Sequence, residues 1–342
     1  MTAILIIKLG AFGDLLQAEG ALRDIRAHHP GARITVLTRA PFRRILERCP
    51  SVDAVWVDEA APRWRLDRMA ALRRRLAAGG FSRVYDLQNS ARTAFYFRWL
   101  LGRGVEWSGT APGCSHPHRH HAPKTVPSLD RLAGQLADAG VPVVHARAPD
   151  LRWMAADVGG VLAAAGVEAP YVVLLPGSSA RHPNKRWPGY RALAEALAAD
   201  GHRVVTVPGP DEVELCRDLP ATALMREGRV LDFFGLAGVL AGAALAVGND
   251  SGPTHLAAHM GVPGVALFAR SHLPAAMTGI ERANMRVLEA DRLADLPLAP
   301  VLAAARAALA PRLQAPTISS TSERLDGSKG LANRTPSSER PS

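Results

Sequence analysis

Short apolar, β-branched runs alternate with helix-period stretches along most of the chain, and the alternation restarts once near its middle. In the first half the strand-like runs are Ile4–Leu9, Arg33–Thr38, Ala54–Val57, Arg83–Leu87 and Val105–Ser108. Helical patterns lie between or after them at Leu15–His28, Leu66–Ala78, Ala91–Leu101 and Leu129–Ala139. Such alternation specifies a mostly parallel sheet covered on both faces, because parallel strands need helical crossovers. The second round reads Tyr171–Leu175, Arg203–Val207, Ala244–Val247 and Gly264–Phe268, with helices at Tyr190–Ala199 and Thr254–Met260 and a last one at Leu298–Leu309. The Pro- and Gly-bearing stretch Val141–Pro170 is the seam. The predicted fold class is α/β, two Rossmann-like domains with a cleft between the carboxyl ends of their strands. The expected boundaries are 1–155, 156–310 and a Ser/Thr/Pro-rich disordered tail, 311–342.

The chain has 342 residues, enough for two cores, and its 48% apolar and 21% charged residues are those of a globular protein. Its formal charge is +10, and only four of the 41 basic residues are lysine. Arginine pairs bidentately with carboxylates and phosphates, so an acidic partner is expected; a GC-rich genome would give the same bias. With 5% aromatic residues and no base-reading motif, a nucleic-acid binder is excluded. Cys49, Cys114 and Cys216 show no CxxC spacing, which argues against disulfides or zinc and fits a reducing cytoplasm. "MTAILIIKLG" has no basic n-region or cleavage site, and the longest uncharged run, Phe233–Gly248, is too short to span a bilayer. The predicted location is cytoplasmic.

No GxxxxGK[ST] occurs, and no GxGxxG follows the first strand. The first strand instead opens into "KLGAFGD", where Asp14 would repel a docked pyrophosphate. Asp14 is thus a helix cap or a carboxylate aimed into the cleft as a general base. In "LLPGSSARHPNKRWPGY", hydroxyls, open amides and Lys185 would make a pyrophosphate cradle; a solvated basic loop is the plain alternative. In "VGNDSGPTHLAAHMGVP", the turn Asn249–Gly252 precedes Pro253, which suits the start of a helix whose free amides would face the cleft. Asp250 caps that helix or fixes a hydroxyl, and His255 is placed to reach a phosphate oxygen or to pack.

The blocks "ILIIKLGAFGDLLQAEGALRDIR", "PGSSARHPNKRWPGYRALAEAL" and "GNDSGPTHLAAHMGVPGVALF" together resemble glycosyltransferase family 9, the ADP-heptose:lipopolysaccharide heptosyltransferases of GT-B fold. The resemblance runs in the family's order up to about residue 290. It implies that Asp14 deprotonates the acceptor hydroxyl. It implies that Ser178, Ser179 and Lys185 hold the donor diphosphate and that Asp250, Ser251, Gly252, Thr254 and His255 complete the donor site. Glu212 in "GPDEVEL" is the matching acid for the nucleoside, and "VYDLQNSARTA" puts Asp86 and Gln88 near the acceptor. The implied activity is inverting transfer of a sugar, heptose from ADP-heptose, onto an acidic lipid-linked glycan of the lipopolysaccharide core. No cofactor is implied, and no DxD is present to chelate a metal. Cationic side chains and helix amides would take the leaving charge. After "VALF" the chain reads "ARSHLPAAMTG" where relatives have Gly-Pro-Thr, so the loop beside the donor sugar differs.

An acidic acceptor would suit Gly13 at the cleft mouth, Arg63 and Arg65 in "RWRLDRMAALRRRL", and Arg119 and His120 in "HPHRHH". In the first of these stretches Leu66, Met69, Leu72 and Leu76 form the expected buried stripe. Solvated faces would look the same. Peripheral contact with the inner face of the inner membrane follows from a lipid-linked acceptor. Two alternatives stand beside the transferase: a sugar-nucleotide epimerase of GT-B architecture, and a non-catalytic glycan- or nucleotide-binding relative.

Overall fold

The computed structural model describes residues 2–101, 104–119, 125–178, 183–271 and 274–310. The expected disordered tail, together with Ser179 and His120, lies outside the described residues. The first sheet holds β1 (Ala3–Ile7), β2 (Arg33–Thr38), β3 (Ala54–Val57), β4 (Arg83–Asp86), β5 (Glu106–Gly109) and β6 (His116–Pro117). Its helices are α1 (Phe12–Gln17), α2 (Glu19–His28), α3 (Arg43–Glu47), α4 (Leu66–Ala78), α5 (Ala91–Phe95) and α6 (Ser128–Asp138). A π-helical turn, Tyr96–Leu101, continues α5. After the connecting helix α7 (Gly159–Ala164), the second sheet holds β7 (Tyr171–Leu175), β8 (Val204–Thr206), β9 (Thr222–Ala223), β10 (Ala243–Asn249), β11 (Gly264–Ala269) and β12 (Met285–Ala290). The helices α8 (Tyr190–Ala199), α9 (Val213–Arg217), α10 (Phe233–Ala241), α11 (Gly252–His259) and α12 (Leu298–Leu309) cover it.

Every pairing of these strands is parallel. The two sheets run β3-β2-β1-β4-β5-β6 and β12-β11-β10-β7-β8-β9. Renumbered within its own half, each has the doubly wound order 3-2-1-4-5-6. The central strands β1 and β7 are uniform apolar runs because both faces are covered by helices. In each half the connections diverge between the first and fourth strands, which opens a crevice at their carboxyl ends. The loops after β1, β4, β7 and β10 all leave there.

Three features differ from the sequence reading. The expected helix Leu15–His28 starts earlier, at Phe12, and breaks at Ala18 into α1 and α2. Leu66 does not join the buried stripe of α4: Met69 and Leu76 are buried, whereas Leu66 is 76% exposed. Its position at the helix start, about 60° round from Met69 at ~100° per residue, turns it outward. Pro253 is the second residue of α11, after Gly252.

The halves share one apolar core that includes Ile4 and Ile6 of β1 as well as Val173 of β7 and Phe268 of β11. Their closest junction is α1 against α11. Phe12 stacks on Phe233 with ring centroids 4.1 Å apart. A Cβ on Gly252 would stand 2.3 Å from the Phe12 ring, so only glycine permits this approach. The connecting segment is fastened on both sides. Asp24 of α2 accepts the amides of Val144, His145 and Ala146, and Glu19 accepts that of Asp150 at 2.8 Å. From the second half, Arg282 donates to the Pro149 carbonyl at 3.2 Å.

Candidate functional site

Between the carboxyl ends of the two sheets lies a cleft of about 840 Å³. The first half contributes Gly13, Asp14, Gln17, Ser128 and Arg131; the second contributes Ser178, Lys185, Glu212 and the stretch Asp250–Pro253 with His255.

Asp14 is the third residue of α1, and one carboxylate oxygen accepts the Ala11 amide at 3.1 Å. It therefore ties down the turn and lines the cleft at once: the cap and the cleft-facing carboxylate are the same residue. Gly13 beside it packs on His255, to which a Cβ would come within 3.5 Å.

Across the cleft, Lys185 Nζ pairs with Asp250 Oδ2 at 2.5 Å, and His255 Nε2 stands 3.7 Å from Oδ1. Asp250 does not cap α11. Burial works to raise its pKa, but the bonds and charges of His255 and Lys185 prevail and hold the carboxyl below its ordinary range. No side chain caps α11 at Ser251, so the first-turn amides of a helix ending in the cleft remain available. Thr254 is turned inward instead and donates to the Asn249 carbonyl at 2.6 Å, with Ser251 Oγ 3.1 Å away. Asn249, fully buried, bonds the Pro176 carbonyl and the Trp187 amide, which locks the loop after β7 to the end of β10. Ser178 is buried at the same edge.

Glu212 receives the Gly209 amide at 3.0 Å, and burial raises its carboxyl above the usual range. It stands where the cleft meets an apolar bay of about 440 Å³, lined by Val207, Pro208, Leu231, Phe233 and Phe234.

On the first half's side the cleft continues into a polar pocket of about 240 Å³ formed by Lys8, Asp14, Gln17, Gln88, Asn89, Ser128 and Arg131. Lys8 is buried there and donates to the Leu87 carbonyl at 3.1 Å; desolvation lowers its pKa, with Asp14 and Asp86 opposing. Gln88 lines this pocket and accepts the Leu9 amide at 2.8 Å. Asp86 does not line it. Its carboxylate accepts the Gln88 and Asn89 amides, shaping the loop from beneath, and burial raises its pKa to about 6.

Of the remaining candidates among the described residues, Arg63, Arg65 and Arg119 do not line the cleft. Arg63 covers the Phe95 ring at 5.4 Å, and Arg65 pairs with Asp67 at 3.1 Å. Arg119 is exposed, with its amide on Asp138. Conversely, the polar pocket contains Lys8 and Arg131, which the motifs do not point to. A lysine directly after "AILII" is a readable anomaly; Arg131, on an ordinary amphipathic helix, gives no local signal.

Comparison with known proteins bears on the family and the fold. Residues 69–292 match the family model described as glycosyltransferase family 9 (heptosyltransferase). The chain is 29% identical over 290 residues to lipopolysaccharide heptosyltransferase 1 of Pseudomonas aeruginosa, covering 78% of each protein. Among solved structures it resembles a family 9 glycosyltransferase from Veillonella parvula, with TM-score 0.76, 21% identity and coverage of 91% of this chain and 97% of that one. It also resembles Escherichia coli ADP-heptose lipopolysaccharide heptosyltransferase II, with TM-score 0.70, 22% identity and coverage of 92% and 100%.

Proposed function

The chain belongs to glycosyltransferase family 9, and from that premise we propose that it moves heptose from ADP-heptose onto an acidic, lipid-linked lipopolysaccharide core with inversion at the anomeric carbon. The observation that carries this reading is one cleft holding Asp14 on one wall and Lys185 with the uncapped start of α11 on the other. Asp14 takes the proton of the acceptor hydroxyl. The oxygen attacks the anomeric carbon from the face opposite the diphosphate, and the bond to the phosphate oxygen breaks with its electron pair leaving on ADP. Lys185, Ser178 and the α11 amides receive that growing charge, with no cofactor in the scheme. His255 and Asp250 orient Lys185 and the sugar.

The bay beside Glu212 is apolar and suits the base, and Glu212 at its mouth suits ribose hydroxyls. The polar pocket of Lys8, Gln88, Asn89 and Arg131 adjoins Asp14 and suits the acceptor sugar, its two cations matching an acidic group. Asp86 shapes that pocket through its loop. We assign residues 1–155 to the acceptor half and 156–310 to the donor half. The reading carries with it a peripheral position at the cytoplasmic face of the inner membrane. Among the described residues no helix is long and apolar enough to cross a membrane.

Product analysis with ADP-heptose tests the reading. ADP release that depends on acceptor identifies a transferase; isomerised sugar without acceptor identifies an epimerase, and neither product identifies a binding protein. Asp14→Asn should lower the transfer rate by roughly 10²–10⁴ while ADP affinity stays unchanged. Transfer at the parent rate would reduce Asp14 to its bond with Ala11.

A further inference from the structure

Leu66, turned out of the α4 stripe, has company. Trp64 is 75% exposed, Leu66 76% and Trp99 58%, three of the four large apolar side chains that stand exposed among the described residues. All three belong to one corner of the first half. Arg63, beside Trp64, lies over Phe95 at 5.4 Å, and Trp99 follows Phe95 by one turn on the π-helical segment. Leu72 and Leu76 of α4 pack into the same cluster as Tyr96 and Leu100 of that segment.

The corner is also densely cationic. Residues 63–76 carry six arginines and one aspartate. Glu59 and Asp67 pair with Arg65 and Arg68. Arg73 and Arg74, exposed on the side of α4 that also presents Leu66, have no ion pair among the described residues. Arg98 covers the ring of Trp99 at 5.4 Å. Scattered exposed apolar residues need no explanation, but two indoles and a leucine among arginines, two of which have no ion pair among the described residues, have the composition of an interfacial membrane anchor. Indoles prefer the headgroup layer, and arginines are drawn to anionic lipid within a Debye length.

We propose that this corner docks the protein on an anionic lipid surface, with Trp64, Leu66 and Trp99 entering the headgroup layer and Arg73 and Arg74 facing lipid phosphates. The loop bearing Trp64 leaves the carboxyl edge of β3, the edge from which the loops of the acceptor pocket also rise. Docking through Trp64 and Leu66 therefore brings that edge to the bilayer surface. The benefit of that orientation rests on the lipid-linked acceptor proposed above; the docking itself does not.

Co-sedimentation of the full chain with vesicles, without donor or acceptor, tests the docking separately from the chemistry. One set of vesicles is phosphatidylcholine alone and the other contains phosphatidylglycerol. The parent protein should bind the second set, less so as salt rises, and largely ignore the first. Trp64→Ser with Leu66→Ser should weaken binding roughly tenfold or more, and so should Arg73→Gln with Arg74→Gln, while ADP affinity stays unchanged. Equal affinity for both vesicle types, no binding to either, or parent-like binding by the Trp64/Leu66 variant would each overturn the proposal.

Discussion

Lys185 meets Asp250 at 2.5 Å, so any diphosphate it binds must share the lysine with a carboxylate already in place. Its removal has two effects that can be separated. Lys185→Ala should weaken ADP binding by roughly 1.5–3 kcal/mol, the worth of a hydrogen bond to a charged group, and leave adenosine binding almost untouched. Calorimetry with both ligands checks this, and equal ADP affinity in variant and parent would take the lysine out of the donor site. Glu19 supports a different expectation. Burial lifts its carboxyl to about 7 from an ordinary 4.5, although the Asp150 amide and Arg23 pull the other way. The folded protein thus holds a proton that the unfolded chain gives up at lower pH. The stability this contributes is complete below pH 4.5 and is lost as pH rises through about 7. Glu19→Gln keeps an acceptor for the amide and removes the titration. Its stability relative to the parent should therefore be greater at about pH 8 than at about pH 5 in denaturant titrations. The same difference at both pH values would refute burial of Glu19 as the cause.

At the scale of elements, the α1–α11 crossing depends on Gly252. Gly252→Ala puts a methyl 2.3 Å from the Phe12 ring and forces the Phe12–Phe233 stack apart. Such overpacking costs typically about 1–3 kcal/mol, measurable by denaturant unfolding, and trimming Phe12 to alanine in the same chain should recover part of it. A Gly252→Ala variant as stable as the parent would mean that the halves slide freely. Elements legible in the sequence are those with a clear local period: β2, β3, β7, α4, α8 and α12 have the boundaries their residues suggest. β6 and β9, two residues each, are too short to carry a period. β12 mixes Arg286 and Glu289 into an edge strand whose outer residues need not be apolar. α10 is apolar all round, so no stripe distinguishes it. The second half's cleft wall is readable because Lys185, Asp250 and His255 sit in compact glycine- and hydroxyl-bearing turns. Arg131 reaches the cleft only through the packing of α6, which no neighbouring residue announces. The motif implies that Asp86 lies near the acceptor; in the structure its carboxylate accepts the amides of Gln88 and Asn89 from beneath the pocket.

In the whole molecule, two halves with the same strand order face one cleft, Asp14 and Arg131 lining it from the first and Lys185, Asp250 and the start of α11 from the second. They are not independent bodies, since a single cluster of buried side chains runs from Ile4 to Phe268 and the connecting segment is bonded to both. That continuity predicts one melting transition in calorimetry, with no plateau between the halves. It also makes the far half a reporter. Nucleotide bound against the second sheet should slow amide hydrogen exchange in β1 and α2, residues it never touches, because opening either half breaks the shared core. Protection confined to residues after 170, or two resolved heat-absorption peaks, would show that each half unfolds alone.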